Sequence, residues 1–223
     1  MHNQLVAVLT GDIVHSSRMT APDLKRLPGV LKSIFNSIDT ICKPKTLPVK
    51  YSVFRGDSFQ LVVEPALAVK TWLLIRAGLR AAFPAPLSRS VDATIAIAIG
   101  RVDYLAKNIT ESSGEVFNLS GRLLEKLKAP GLTGFVSANE QLNKEVNVQL
   151  LLADEIIRRW TTAQTLLLPM LMQSLNQSDI ARETNTRQPT VAAKVNAMGW
   201  HAVEVWMEYF SDLVKNGLTY TTD

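Results

Sequence analysis

The chain has 223 residues, of which 47% are hydrophobic and 20% charged, and its formal net charge is +4. This balance allows a sizeable core and excludes a disordered, collagen-like or strongly charged polymer. Cys42 is the one cysteine, which excludes an intrachain disulfide, and the polar start Met1–Gln4 and the lack of any apolar run near ~20 residues point to the cytoplasm, with no membrane partner.

Leu5-Val6-Ala7-Val8-Leu9 reads as a strand buried on both faces. Thr10–Ser17 is a Gly/Asp/Ser-rich turn. Thr20-Ala21-Pro22-Asp23 carries helix-start signals, Pro28 is expected at a first helical position, and Leu31, Ile34, Phe35 and Ile38 recur at helical spacing. Lys50–Phe54 and Ser58–Val63 form a hairpin with Gly56-Asp57 near its tip. A helix opens at Glu64-Pro65, runs through Trp72, Ile75, Leu79 and Ala82, and stops at Pro84–Pro86. Val91–Gly100 is apolar and β-capable, as a central strand is. Gly114–Lys128 is an amphipathic helix whose apolar side includes Val116, Phe117, Leu119, Leu123 and Leu124. Pro130-Gly131 ends it, Gly134–Ser137 is a short strand, and Ala138-Asn139-Glu140 starts another helix. The order β-α-β-β-α-β, then α-β, is that of an α/β (α+β) sandwich of ferredoxin-like or palm-like type.

From position 148 the pattern is helical: Val148–Trp160, Thr162–Leu175 with a kink at Pro169, Gln177–Thr184, Gln188–Met198 and Val203–Val214. The chain is expected to divide into an α/β domain, 1–147, and a helical domain, 148–223. Asn185-Thr186-Arg187 separates two short helices, the spacing of a helix-turn-helix. In that reading Gln188–Met198 enters a major groove of double-stranded DNA, faced by Arg187, Gln188, Thr190 and Lys194. The competing reading is a bundle that dimerises the chain. From Leu151 onward eight acids outnumber six bases, which favours the bundle, whereas the Gln177–Val191 pattern favours DNA.

Gly-Asp stands at two strand edges, Gly11-Asp12 and Gly56-Asp57. Two carboxylates at neighbouring strand ends suit a divalent metal and a polyphosphate. Either pair alone also serves as a turn or a cap. Val8–Ser17 resembles the first metal motif of class III nucleotidyl cyclases, and Arg55-Gly56-Asp57-Ser58-Phe59 resembles the second. Gly114–Arg122 is similar to their Gly-x-x-Val-Asn-x-x-x-Arg segment, with Phe117 in place of Val. This likeness covers roughly residues 4–146. The whole chain resembles the bacterial SatD family, through Gly11–Ser16, Gly56–Gln60 and Trp160…Gln164…Gln177–Ala181.

The resemblance implies that Asp12 and Asp57 hold one or two Mg²⁺ (or Mn²⁺) ions. It implies that Ile13, Ser16 and Ser17 cradle the phosphates of a nucleoside triphosphate, with Arg55 as a further phosphate or base contact. Asn118 would orient the ribose and Arg122 would offset charge on the α-phosphoryl. In that family the metal pair and the Asn/Arg pair come from different subunits, so a homodimer is implied. The sequence departs where the family carries a base-selecting Lys: here that position is Val53, and Glu111 only loosely matches its partner acid. The readings are a SatD-like nucleotide- and metal-responsive DNA-binding regulator, an active nucleotidyl cyclase whose tail assembles the dimer, and a scaffold without ligand.

Overall fold

The structure, a computed structural model, describes residues 4–83, 91–127 and 131–217. The expectations placed on Met1–Asn3, Pro84–Pro86 and Pro130 fall outside them. Strands β1 (Gln4–Ile13), β2 (Lys50–Phe54), β3 (Ser58–Val63), β4 (Ala93–Val102) and β5 (Thr133–Val136) form one sheet in the order β2-β3-β1-β4-β5. All neighbours are antiparallel except β4 and β5. With helices α1 (Ala21–Cys42) and α2 (Ala68–Ala82), the first four strands make the ferredoxin-like β-α-β-β-α-β unit. Helix α3 (Glu115–Lys126) is the crossover that delivers β5 parallel to β4.

The two faces of the sheet follow the period-two alternation of its strands. Ala7, Leu9, Ile13, Leu61, Val63, Ile95, Ile97 and Ile99 pack with α1 and α2. Val6, Val8, Val62, Ala98 and Val102 pack with Val116 and Phe117 of α3. Strand β1 is central and covered on both sides, so its apolar run is continuous. Gly11 marks a close approach: a Cβ there would meet Phe59 Cζ at 2.2 Å. Phe59 is fully buried and has nowhere to retreat. Gly11→Ala is therefore expected to cost about 1–3 kcal/mol through overpacking, read as a lower urea midpoint at unchanged slope.

Pro28 does not open a helix. Helix α1 starts at Ala21, Thr20 caps it by accepting from the Asp23 N–H, and Pro28 lies in its interior. Proline removes the donor that Leu24 C=O would use. Leu24 is exposed, so water can serve that carbonyl, while Leu27, Leu31, Ile34, Phe35 and Ile38 hold the helix on the sheet.

Helix α4 (Glu140–Ile157) runs unbroken through position 148, where a new helix was expected to begin. It lies along β5, and its asparagines satisfy the outer edge of that strand. Asn147 accepts from Phe135 N–H (2.9 Å) and donates to Phe135 O (2.8 Å); Asn143 does the same for Ser137 (2.7 and 2.9 Å). The edge is thereby closed to strand pairing. The single kinked helix expected over Thr162–Leu175 is two short ones, α5 (Thr162–Thr165) and α6 (Leu168–Met172), with Pro169 in the first turn of the second. Helices α7 (Gln177–Glu183), α8 (Gln188–Ala197) and α9 (Trp200–Gly217) follow.

This helical part shares the core of the α1–α2 layer. Trp72 meets Trp206 edge-on at 5.8 Å, and Phe135 meets Phe210 at 6.2 Å. The Trp160 indole donates to Met198 O (2.9 Å). A buried ionic cluster adds to this junction. Arg76 donates to both Asp92 oxygens (2.8 and 2.8 Å) and also pairs with Asp154 of α4. Arg80 donates to Asp92 Oδ2 (2.6 Å) and to Ile157 O (2.5 Å).

Candidate functional site

The register of β1 against β3 places Asp12 opposite Ser58, Gly11 opposite Phe59 and Thr10 opposite Gln60. One step beyond, Ile13 N–H donates to Asp57 O (3.1 Å). Both Gly-Asp pairs therefore lie at one corner of the sheet. Ser58 Oγ donates to Asp12 Oδ1 (3.0 Å), and Ser16 Oγ donates to Asp57 Oδ2 (2.8 Å). Each carboxylate has one oxygen held by a serine and presents the other. Asp12 is exposed and Asp57 half-buried.

Two tight turns build this corner. After β1, Val14 N–H donates to Asp92 O (2.8 Å), His15 takes a left-handed conformation (φ 60°), and the 3₁₀ turn Ser16–Arg18 brings Ser16 back over Asp57. Between β2 and β3, where Phe54 pairs with Ser58, the loop Arg55-Gly56-Asp57 demands positive φ at two positions, 50° at Arg55 and 91° at Gly56. Glycine meets that demand without the Cβ clash that a larger residue suffers.

Thr10 and Asp12 share the face of β1 that looks toward α3. Gln60 Nε2 donates to Thr10 Oγ1 (3.0 Å), which lies 2.8 Å from Ser120 Oγ of α3. Ser120 is fully buried and donates to Phe117 O (2.9 Å). This polar chain beside the aspartates was not singled out from sequence. The signal was the period-two spacing, Thr10 two before Asp12 and Gln60 two after Ser58.

The structure distributes the other expected site residues unevenly. The Ile13 side chain is buried and its N–H is already committed to Asp57, so it does not face a ligand. Ser16 is at the aspartate corner, Ser17 follows it exposed in the same turn, and Arg55 is exposed at the hairpin tip. Asn118 and Arg122 are exposed on α3, where Phe117 and Ser120 turn toward the sheet. Among the described residues no hydrogen bond or ion pair joins Asn118 or Arg122 to Asp12 or Asp57. Val53 packs against the core beneath α1, away from the Asp12 face. The Cys42 thiol is pushed up to about 11 by burial, which keeps it a neutral, unreactive group.

In the helical part, Asn176 caps α7 by accepting from the N–H groups of Ser178 (3.0 Å) and Asp179 (2.9 Å). Asn185 (φ 48°) turns the chain, and Thr186 N–H closes back on Ala181 O (2.8 Å). Helix α8 buries only Val191 and Val195. Arg187, Gln188 and Thr190 are exposed at its start and Lys194 is half-buried. Gln188 Nε2 donates to Gln177 Oε1 (2.7 Å), which ties the two helices at that end.

Among the described residues no cluster of three or more His, Cys, Asp or Glu side chains is arranged to hold a metal ion. Two carboxylates with hydroxyls beside them nonetheless fit Mg²⁺ bound together with phosphates, because this ion takes hard oxygen donors and draws most of its ligands from water and substrate.

Neither a family profile nor a curated protein matches the sequence. Among solved structures, the chain is similar to an adenylate/guanylate cyclase/hydrolase from Silicibacter pomeroyi, at 19% identity and a TM-score of 0.48, over 67% of this chain and 82% of that one. It is also similar to the guanylyl cyclase domain of the RhoGC fusion protein from Blastocladiella emersonii (19% identity, TM-score 0.42, 69% and 88% covered). A further similarity is to the GGEEF domain of a diguanylate cyclase from Vibrio cholerae (13%, 0.40, 59% and 83%).

Proposed function

We propose that the chain binds a nucleoside triphosphate together with a divalent cation at the Asp12–Asp57 corner, and that it is a nucleotide-responsive, DNA-binding regulator of the SatD kind. The ligand site lies in the sheet-bearing part and the helix-turn-helix is α7–α8; the boundary expected at 147/148 falls inside the unbroken α4. The observation that carries the reading is the pair of serine-held aspartates on adjacent strand ends, each with one oxygen uncommitted. Bound Mg²⁺ would neutralise phosphate charge there. Ser16 and Ser58 fix the carboxylates, Ser17 offers a hydroxyl and Arg55 a cation. The DNA-binding half rests on α8, which spends two valines on packing and leaves Arg187, Gln188 and Thr190 outside.

Calorimetric titration with each nucleoside triphosphate in Mg²⁺ is expected to give heat with the wild type, and Asp57→Asn to weaken binding at least ~10-fold. No heat with any triphosphate would overturn the ligand reading. Mobility of DNA is expected to shift in a salt-dependent manner, and Arg187→Ala with Lys194→Ala to abolish the shift. A shift that survives would assign DNA contact to another surface.

A second reading, an active cyclase, is favoured by one observation. Asn118 and Arg122 stand four apart and exposed on α3, without a bond to the aspartates of their own chain. In a homodimer they would serve the aspartates of a second chain. Incubation with each triphosphate and Mn²⁺, followed by mass spectrometry, decides it; absence of a cyclic product removes this reading.

A further inference from the structure

The sheet register lines up more than the two aspartates. Gln60 stands opposite Thr10 on one side and opposite Ser52 on the other; Ser58 stands opposite Asp12 and Phe54 in the same way. Residues directly opposite share a face. Two rows therefore cross β2, β3 and β1 on the Asp12 face: Phe54, Ser58 and Asp12 at the tip, and Ser52, Gln60 and Thr10 one step in. Helix α3 packs over β1, β4 and β5. On β2 and β3 the rows keep contact with solvent, with Phe54 exposed and Ser52 and Gln60 half-buried.

Proton bookkeeping fixes which way the Gln60 amide faces. The Phe117 carbonyl can only accept, so it takes the single hydroxyl proton of Ser120 (2.9 Å). The Thr10–Ser120 contact (2.8 Å) must then use the Thr10 proton, and Thr10, with that proton committed, accepts from Gln60 Nε2 (3.0 Å). An amide turned over would set Oε1 against the Thr10 oxygen, two acceptors with no proton between them. Gln60 is thus held with its nitrogen toward Thr10. Among the described residues nothing donates to Gln60 Oε1, one N–H of the amide is left over, and the Ser52 hydroxyl opposite has no partner. Both oxygens are reached by solvent.

Gln60 lies diagonally across the β1–β3 pair from Asp12, roughly 7–8 Å away by the geometry of antiparallel strands. That leaves room for a ribose between phosphates at the corner and a base at Gln60. An amide that presents an oxygen beside an N–H matches an amino group beside a ring nitrogen, the pairing that glutamine makes with adenine. We infer that Gln60, oriented by Thr10 and Ser120, selects adenine as the base of the bound nucleotide. Its Oε1 accepts from the exocyclic amino group, and its second N–H donates to the neighbouring ring nitrogen. Phe54 offers an exposed aromatic surface on the same face. The inference rests on the nucleotide reading of the Asp12–Asp57 corner and deepens it by naming the base.

Calorimetry in Mg²⁺ with the full chain tests it, using ATP and purine riboside triphosphate. The analogue has the same phosphates, ribose and ring nitrogens but lacks the amino group. The wild type is expected to bind ATP at least ~10-fold more tightly than the analogue. Gln60→Leu is expected to bring that ratio to about one. Thr10→Val is expected to lower it, because the amide loses the acceptor that orients it, and Thr10→Ser to keep it. Circular dichroism of each variant separates a lost ratio from a lost fold. Equal wild-type affinity for the two compounds overturns the adenine reading and leaves the phosphate site standing. So does a ratio that survives Gln60→Leu. A ratio that survives Thr10→Val overturns the orienting role of Thr10. Heat with neither compound nor any other triphosphate overturns the nucleotide reading, and the adenine reading with it.

Discussion

Asp92→Ala is expected to cost about 3–5 kcal/mol of folding stability, because it strips a buried carboxylate from two buried guanidiniums. Arg76 and Arg80 both donate to Asp92, and Arg76 keeps only Asp154 when it is gone. Arg80 would keep only the Ile157 carbonyl. The damage extends to the candidate site, since Asp92 O holds Val14 and so the course of the loop that carries Ser16. Urea denaturation measures the loss; a cost under ~1 kcal/mol would mean that the cluster contributes little.

The two acids of this cluster respond to pH with opposite signs. At Asp92 burial opposes the charge, but Arg76 and then Arg80 outweigh it and hold the pKa below the ordinary carboxylate value. Its stabilisation is present above the unfolded value of about 3.9 and is lost as pH falls through the lower folded value. At Asp154 burial dominates, Arg76 offsets only part of it, and the pKa is raised. Stability linked to that proton is present below about 3.9 and is lost as pH rises through the folded value. Asp154→Asn is therefore expected to compare better with wild type at about pH 7 than at about pH 3, and Asp92→Asn worse. Stability curves of the three proteins at both pH values check the contrast; the same sign for both variants would refute it.

Trp72→Ala is expected to cost about 3–5 kcal/mol as well, through a large cavity at the meeting of sheet, α2 and α9. The Trp72 ring is fully buried, touches Trp206 edge-on and lies 5.2 Å under the Arg76 guanidinium. Its indole N–H donates to Thr133 Oγ1 (2.8 Å) at the start of β5. Trp72→Phe is expected to lose less, because it keeps an aromatic ring and gives up mainly that hydrogen bond. Because the helical part and the sheet share this core, both variants are expected to unfold in one transition. A separate early transition of the helices would count against a shared cooperative unit.

The order of strands and helices was legible because alternation and helical periodicity record burial directly. The errors came where a local signal met a tertiary one. Pro28 signals a helix start, yet the buried face from Leu27 to Ile38 carries the helix through it. Position 148 looks like a fresh start, yet Asn143 and Asn147 must reach β5 from the same rigid helix that brings Asp154 to Arg76. Arg76 and Arg80 gave no signal at all. In an amphipathic helix an arginine reads as a surface residue, and their acidic partners lie 12 to 78 positions away in the chain.

For the candidate site, the sequence alone supplied the two Gly-Asp pairs, since a carboxylate beside glycine at a strand edge stands out; only Gly56-Asp57 is a turn, with positive φ at Gly56, whereas Gly11-Asp12 stays within β1, which runs on through Ile13 where a turn from Thr10 was expected. It also supplied the four-residue spacing of Asn118 and Arg122. Only the tertiary structure decided which of these meet. Antiparallel pairing is a long-range choice of register, and it brought Asp12 and Asp57 to one corner of the sheet, Asp12 held by Ser58 and Asp57 by Ser16. The packing of α3 through Ser120 and Phe117 then turned Asn118 and Arg122 outward, because a helix that buries one face must present the other.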